Sequence, residues 1–191
     1  MTITLKPTAS ETTIQNNGSD VFTVDSTGIA MASGKTIQNA SGDVVTNTPA
    51  FSAKIASSQS LSETTNTKLA FDTEDFDTDS AFDTSTNRFT VPAGKAGLYS
   101  ISGLARIDSQ VNTNLVISIF SILKNGSNHK RSYQYYSANY IRSAGICITS
   151  IMDLAVGDYI ELYGYINAAD NTGGQVLQGA DSTFCGHRLI T

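Results

Sequence analysis

Ser182-Thr183-Phe184-Cys185-Gly186-His187-Arg188-Leu189-Ile190 closes the last two thirds of the chain, a long series of short alternating segments punctuated by turns. Working back from it, strand patterns fall at residues 158–166, 143–152, 129–137, 115–124, 98–107, 87–91 and 68–71. Phe51, Ala53 and Ile55 share one face of a further strand that opens the series after Pro49. Strands at this cadence, with no helical-period segment between them, predict an all-β sandwich or barrel. The punctuation is mechanistic. Pro92-Ala93-Gly94 and Ala96-Gly97 bracket a tight connection, because proline sets φ and glycine permits positive φ. Asn125-Gly126 after Leu123-Lys124 predicts a hairpin, since a type I′ turn needs positive φ at both central residues. Val156-Gly157-Asp158 does similar work between the strands that end at Met152 and start at Tyr159.

At 191 residues the chain holds one ordinary core and an appendage, and a head of roughly 140 residues fits after the first fifty. Charged residues are 15% of the chain and the net charge is -5, so no basic field exists to attract phosphates, and neither nucleic acid nor an anionic membrane is an expected partner. The absence of Trp, the three prolines and the many Ser, Thr and Asn residues suit turns and solvent-facing strand positions. Cys147 and Cys185 lie in apolar strand patterns and read as two buried free thiols rather than one disulfide. Met1 to Pro7 lacks the basic start and long apolar run of a secretory signal, and no segment approaches the length of a membrane span. The expectation is a product made in a host cytoplasm without a signal peptide, although its composition looks extracellular.

Residues 1–48 form a separate compositional region with a weak repeat. Thr13-Ile14-Gln15-Asn16 followed by Asp20-Val21 recurs as Thr36-Ile37-Gln38-Asn39 followed by Asp43-Val44. Between the copies, Asp20 to Ile29 alternates apolar and polar residues through a Ser-Thr-Gly turn. Strand, turn, strand with so little apolar area is stable only when packed on something else, and three copies wound about a common axis supply such a partner. The region reads as a short N-terminal β-repeat stalk or anchor, and it resembles the short β-repeats of phage fibre and spike stalks.

Ala50-Phe51-Ser52-Ala53, Phe71, Asn87-Arg88-Phe89-Thr90-Val91-Pro92 with Gly97-Leu98-Tyr99, Lys124-Asn125-Gly126, Leu154 to Leu162 with Gly157-Asp158, and Phe184-Cys185-Gly186 follow one another in an order that resembles the globular head of complement component 1 subcomponent q, over roughly residues 50–191. The resemblance is nearest to forms carried by bacteriophages and bacteria, notably at residues 71–78. It implies a ten-stranded jelly-roll β-sandwich of the tumour-necrosis-factor type that assembles as a homotrimer. It also implies a family signature at Phe51, Phe71, Phe89, Pro92, Gly97, Tyr99, Gly126, Gly157, Asp158, Phe184 and Gly186. The collagen-like stalk of that family is missing, since no Gly-X-Y repeat is present. Strand 115–123 is apolar on both faces, which suits an element covered by the core on one side and a neighbouring subunit on the other. Tyr159, Glu161, Tyr163 and Tyr165 fall on one face of the next strand, either at an interface or toward solvent.

Catalytic chemistry is thin. His129 and His187 have no metal-ligand spacing, no nucleophile elbow is present, and no catalytic residue is assigned. Asp75, Asp77 and Asp79 begin like a calcium loop, but Ser80 stands where glycine is required and Thr86 where the terminal Glu belongs. A solvated acidic loop is the favoured reading and calcium, which some family members bind, the alternative; no other cofactor is expected. The stretch 129–142 interleaves rings with polar groups. Arg131, Tyr133, Tyr135, Tyr136, Asn139, Tyr140 and Arg142 suit a glycan-contacting or protein-contacting surface, and the competing reading is an ordinary strand whose tyrosines pack inward.

Three functions compete on this reading. The leading one is a non-enzymatic phage virion structural protein, a homotrimeric capsid decoration, cement or head-fibre protein that contacts other virion proteins through residues 1–48 and sits on the particle surface. The second is a tail-fibre tip or adhesin that binds host surface glycans through residues 129–142. The third, a secreted complement-q-like binding protein, loses ground for want of a signal peptide.

Overall fold

The computed structural model describes residues 11–16, 19–25, 28–31, 48–136, 141–177 and 179–189. The chain divides into two compact units, residues 1–46 and 47–191, and each is taken by itself. In the first, β1 (Glu11–Asn16), β2 (Ser19–Asp25) and β3 (Gly28–Met31) form an antiparallel sheet in the order β1-β2-β3. Ile14 lies opposite Phe22, and Val24 opposite Ile29. β2 and β3 are the strand pair expected on either side of Ser26-Thr27; the second copy of the repeat, residues 36–44, lies outside the described residues.

The second unit is the predicted sandwich. Its strands are β4 (Ala50–Lys54), β5 (Gln59–Leu61), β6 (Thr67–Lys68), β7 (Thr73–Asp77), β8 (Phe82–Asp83), β9 (Arg88–Thr90), β10 (Gly97–Asp108), β11 (Leu115–Lys124), β12 (Ser127–Tyr135), β13 (Ser143–Leu154), β14 (Tyr159–Ala168), β15 (Gly174–Val176) and β16 (Ser182–Arg188). Eight of these have five residues or more. The remaining edge pairing is split among short pieces of two or three residues, so thirteen segments stand where ten were expected. In sheet one, β10 carries β13 along one edge and β16 and β15 end to end along the other; β4 and then β7 extend it beyond β16, and β5 beyond β15. In sheet two the order is β12-β11-β14-β9-β8, with β6 beside β14. Every strand pair is antiparallel, and the chain passes between sheets at β12–β13 and β13–β14, which is how a sandwich buries one face of each strand.

The core is aromatic at one end and aliphatic at the other. Phe184 lies edge-on to Phe51, Phe71 and Phe82, with centroids 5.0, 5.5 and 5.5 Å away. Phe51 stacks on Phe89 at 4.8 Å, and Phe89 meets Tyr99 at 5.4 Å. Tyr99 is fully buried and its hydroxyl donates to the Lys95 carbonyl at 2.5 Å; burial pushes the phenol up to about 12. The signature glycine Gly186 is required by close approach, since a Cβ there would stand 2.8 Å from Ile101 and 2.9 Å from Phe51.

The turns follow their local chemistry. Asn125 and Gly126 both have positive φ, 51° and 75°, as the hairpin between β11 and β12 demands. Asp158 then ties this hairpin to the one between β13 and β14. It accepts from Asn125 Nδ2 at 2.7 Å and the Ala155 N–H at 2.9 Å and pairs with Lys124 at 2.7 Å, while Asn125 Oδ1 accepts the Tyr159 N–H at 2.9 Å. The Lys124 ammonium and the Asn125 amide hold the Asp158 carboxyl down at about 2.

Two expectations are corrected by the fold. The acidic stretch expected as a solvated loop contains β7, which pairs with β4 across Phe51–Lys54. Its carboxylates are tolerated because β4 supplies a cation: Lys54 pairs with Asp75, whose carboxyl is held below the usual range by that bond. The second correction is Cys147, which is exposed, with only Cys185 partly covered; both are free thiols. On β13 the buried positions are Ile146, Ile148, Ser150, Met152 and Leu154, so Cys147 falls on the alternate, outward set.

Candidate functional site

Register places two different surfaces on the two sheets. On sheet one, cross-strand partners point the same way, and the outward rows are Ile151–Ser100–His187–Ala50, Thr149–Ser102–Cys185–Ser52–Phe76 and Cys147–Leu104–Thr183–Lys54–Thr73. These rows span five strands, and their one Asp, Glu, Lys or Arg is Lys54, neutralised by Asp75 beside it, so the rows carry no net charge. Beyond the Lys54–Asp75 pair, which also takes the Ser52 hydroxyl, the charges beside these rows are the Arg106–Asp181 pair and Asp153 at their margin. Ile151 and Phe76 are 64% and 52% exposed, large side chains left open at opposite ends of the rows. Beside Phe76 lies an open depression floored by Phe51 and Gly186 and walled by Cys185 and His187. Burial pushes the Cys185 thiol up, so it stays protonated and uncharged on this face at neutral pH.

Sheet two turns tyrosines outward. Its rows are Tyr135–Ile117–Asn167, Tyr133–Ile119–Tyr165 and Arg131–Ser121–Tyr163–Lys68. The second face of β11 was expected to suit a neighbouring subunit; within one copy Leu123 and Ser121 are buried there and Ile117 and Ile119 half-buried among these rings. Tyr159, Glu161, Tyr163 and Tyr165 share the outward face as expected, but Glu161 is buried there. It accepts Lys68 Nζ at 2.7 Å and Arg88 Nε and Nη2 at 3.0 and 2.8 Å, and the Arg88 guanidinium lies 3.7 Å over the Tyr159 ring. Burial alone would raise the Glu161 carboxyl; the two cations overcome it and hold the group below its ordinary value.

The residues singled out in 129–142 are only partly brought together. Arg131, Tyr133 and Tyr135 alternate on the outward side of β12, with the two rings 56% and 64% exposed, so they do not pack in the sandwich. Tyr136 turns the other way, packs on the core and meets Ser118 Oγ at 3.1 Å through its hydroxyl. Arg142 pairs with the buried Asp108 at 2.9 Å, which takes it away from the β12 rows. Asn139 and Tyr140 lie outside the described residues. The acidic candidates are spent on separate partners: Asp75 on Lys54 and Ser52, Asp77 on the Asp79 and Phe82 N–H groups, and Asp79 on Thr78 and Lys95. Among the described residues no three His, Cys, Asp or Glu side chains converge as metal ligands would.

The residues of the neutral face escaped the sequence reading. Ser100, Ser102, Thr149 and Cys185 are ordinary alternate positions of seven-to-twelve-residue strands, and the only available signal was that the polar partners in those alternations carry no charge.

No protein-family model matches the chain, and no curated protein matches it in sequence. Solved structures do. The globular domain of the zebrafish complement 1qA protein aligns over 73% of this chain and 95% of its own, at 15% identity and a TM-score of 0.53. The tumour-necrosis-factor structure Eiger from S. frugiperda aligns over 74% of this chain and 94% of its own, at 10% identity and a TM-score of 0.51. At such identities the likeness concerns the fold: the head is a jelly-roll sandwich similar to those of the complement-q and tumour-necrosis-factor heads.

Proposed function

We propose that the protein is a non-enzymatic structural component of a bacteriophage particle: a homotrimeric capsid decoration, cement or head-fibre protein whose residues 1–48 dock on the particle and whose jelly-roll head points outward. The observation that carries the trimer is the neutral outer face of sheet one. A face five strands wide whose one formal charge, Lys54, is neutralised by Asp75 is unusual on a chain that is 15% charged, and it suits a surface that loses its water to another copy. A contact between this face and a different surface of the next copy closes into a ring, and threefold closure is what the complement-q resemblance implies. The charges at the margin would then form the polar rim. The virion assignment is supported by the weak sequence repeat of residues 1–48, which resembles the short β-repeats of phage fibre and spike stalks.

The test is the solution mass of the full-length protein by sedimentation equilibrium, together with antibody labelling of particles released by lysis. A mass of about 61 kDa, three copies of 20.3 kDa, with labelled particles is expected. A 20.3 kDa species at all concentrations overturns the trimer, and unlabelled particles overturn the virion assignment. The adhesin reading is kept beside it on one observation, the two exposed tyrosines of β12.

A further inference from the structure

We infer that the outward face of sheet two is a binding strip for an acidic polysaccharide, a polymer of sugar rings bearing carboxylates, laid across Tyr133, Tyr135, Tyr163 and Tyr165 with Arg131 as its cationic contact. The inference rests on the adhesin reading and concerns the sheet opposite the face that carries the trimer reading.

The geometry comes from register. Tyr133 and Tyr165 flank Ile119 in one row, so their strands lie about 10 Å apart; Tyr135 and Asn167 flank Ile117 in the next row, about 7 Å along the strands. Ring faces and hydrogen-bonding groups therefore repeat in two directions over a strip of a few sugar residues. A tyrosine ring covers the C–H face of a pyranose while its hydroxyl, the Asn167 amide and the Arg131 guanidinium bond hydroxyl and carboxylate oxygens. Leaving Tyr133 and Tyr135 more than half exposed on an edge strand forgoes the burial such rings ordinarily gain. A protein partner would draw its affinity from a few anchors in desolvated pockets, whereas this strip spreads amphipathic rings in open rows.

Charge selects among glycans. Arg131 is exposed, and the bond its guanidinium makes is to the neutral Asn128 side chain at 3.1 Å. Glu161 is covered by two cations, Lys68 and Arg88, and so leaves one positive charge over. Glu63, beyond Asn167, is spent on the Asn167 side chain and on the Ala168 and Gly173 N–H groups. At the margin, Asp83 is turned into its own Ser85-Thr86 turn and Asp158 is paired with Lys124. The three rows thus present cationic groups and no uncommitted carboxylate, on a chain whose net charge is -5. That is complementary to a carboxylated sugar and adds nothing for a neutral one.

The test uses the full-length protein and immobilised polygalacturonate, with dextran and poly-glutamate as comparators. Expected are saturable binding to polygalacturonate that weakens as salt rises, and binding to dextran and poly-glutamate at least about tenfold weaker. Combining Tyr133→Ala with Tyr135→Ala should weaken polygalacturonate binding by about tenfold or more while leaving the Tm within about 2 °C, because both rings are more than half exposed. Arg131→Gln should reduce both the affinity and its salt dependence. Equal binding to dextran overturns the acidic class while leaving an adhesin standing. Equal binding to poly-glutamate overturns the glycan assignment. Absence of binding at millimolar sugar, or variants that bind like the parent, overturns the inference itself.

Discussion

Replacing Ser102 by Glu separates the head as a fold from the head as an assembly. Ser102 sits in the middle row of the neutral face, with Thr149 on one side and Cys185 on the other. Within one copy its hydroxyl meets Thr149 Oγ1 at 3.1 Å, so the substitution removes a partly exposed hydrogen bond worth at most about 1 kcal/mol. A glutamate there is free to point into water, and the folded head should persist. In a trimer built on this face, three carboxylates are taken out of water where the one cation of the rows, Lys54, is already paired with Asp75, at a cost of several kcal/mol each. At about 1.4 kcal/mol per factor of ten, even one such charge weakens association by about a thousandfold or more. Sedimentation equilibrium should move from about 61 kDa to 20.3 kDa, and a Tm that rises with protein concentration in the parent should cease to do so in Ser102→Glu. Tyr133→Glu places the same charge on the opposite sheet and should leave the mass unchanged. A Ser102→Glu protein that stays trimeric, or a Tyr133→Glu protein that falls apart, refutes the assignment of the face.

Two further outcomes follow from the core and the turns. Phe184→Ala empties the centre of the aromatic cluster and should cost about 3–5 kcal/mol, lowering the Tm by roughly 10 °C in circular-dichroism melts; a drop under about 3 °C would show that the edge-on packing is not what holds the two sheets together. Asp158 has a carboxyl held at about 2, below its unfolded value, so its contribution is present above about pH 4 and is lost as pH falls toward 2. Asp158→Asn should therefore flatten that acid limb and cost at most about 1 kcal/mol at pH 7, since the pair lies near the surface; an unchanged acid unfolding midpoint would remove the clamp from the account.

What could be read from the chain was what local chemistry determines. Asn125-Gly126 makes its turn because positive φ at two successive residues is a property of those residues, and β10, β11, β13 and β14 appear within two residues of where their alternation put them. Signature residues such as Phe51, Phe184 and Gly186 met in the core because large and small apolar side chains on alternating strands have one place to go. What required the tertiary structure was every feature made by residues distant in sequence. The acidic stretch is a strand because Lys54, on another strand, neutralises Asp75. Cys147 is outward because its neighbours Ile146 and Ile148 claim the inner face, and Arg142 leaves the tyrosines beside it for Asp108. Above all, the neutral face and the tyrosine strip exist only in the register of four or five strands. The chain by itself determined which residues point the same way along each strand; only the pairing of the strands decided which of those sets lie side by side, because cross-strand hydrogen bonding joins residues that no local pattern connects.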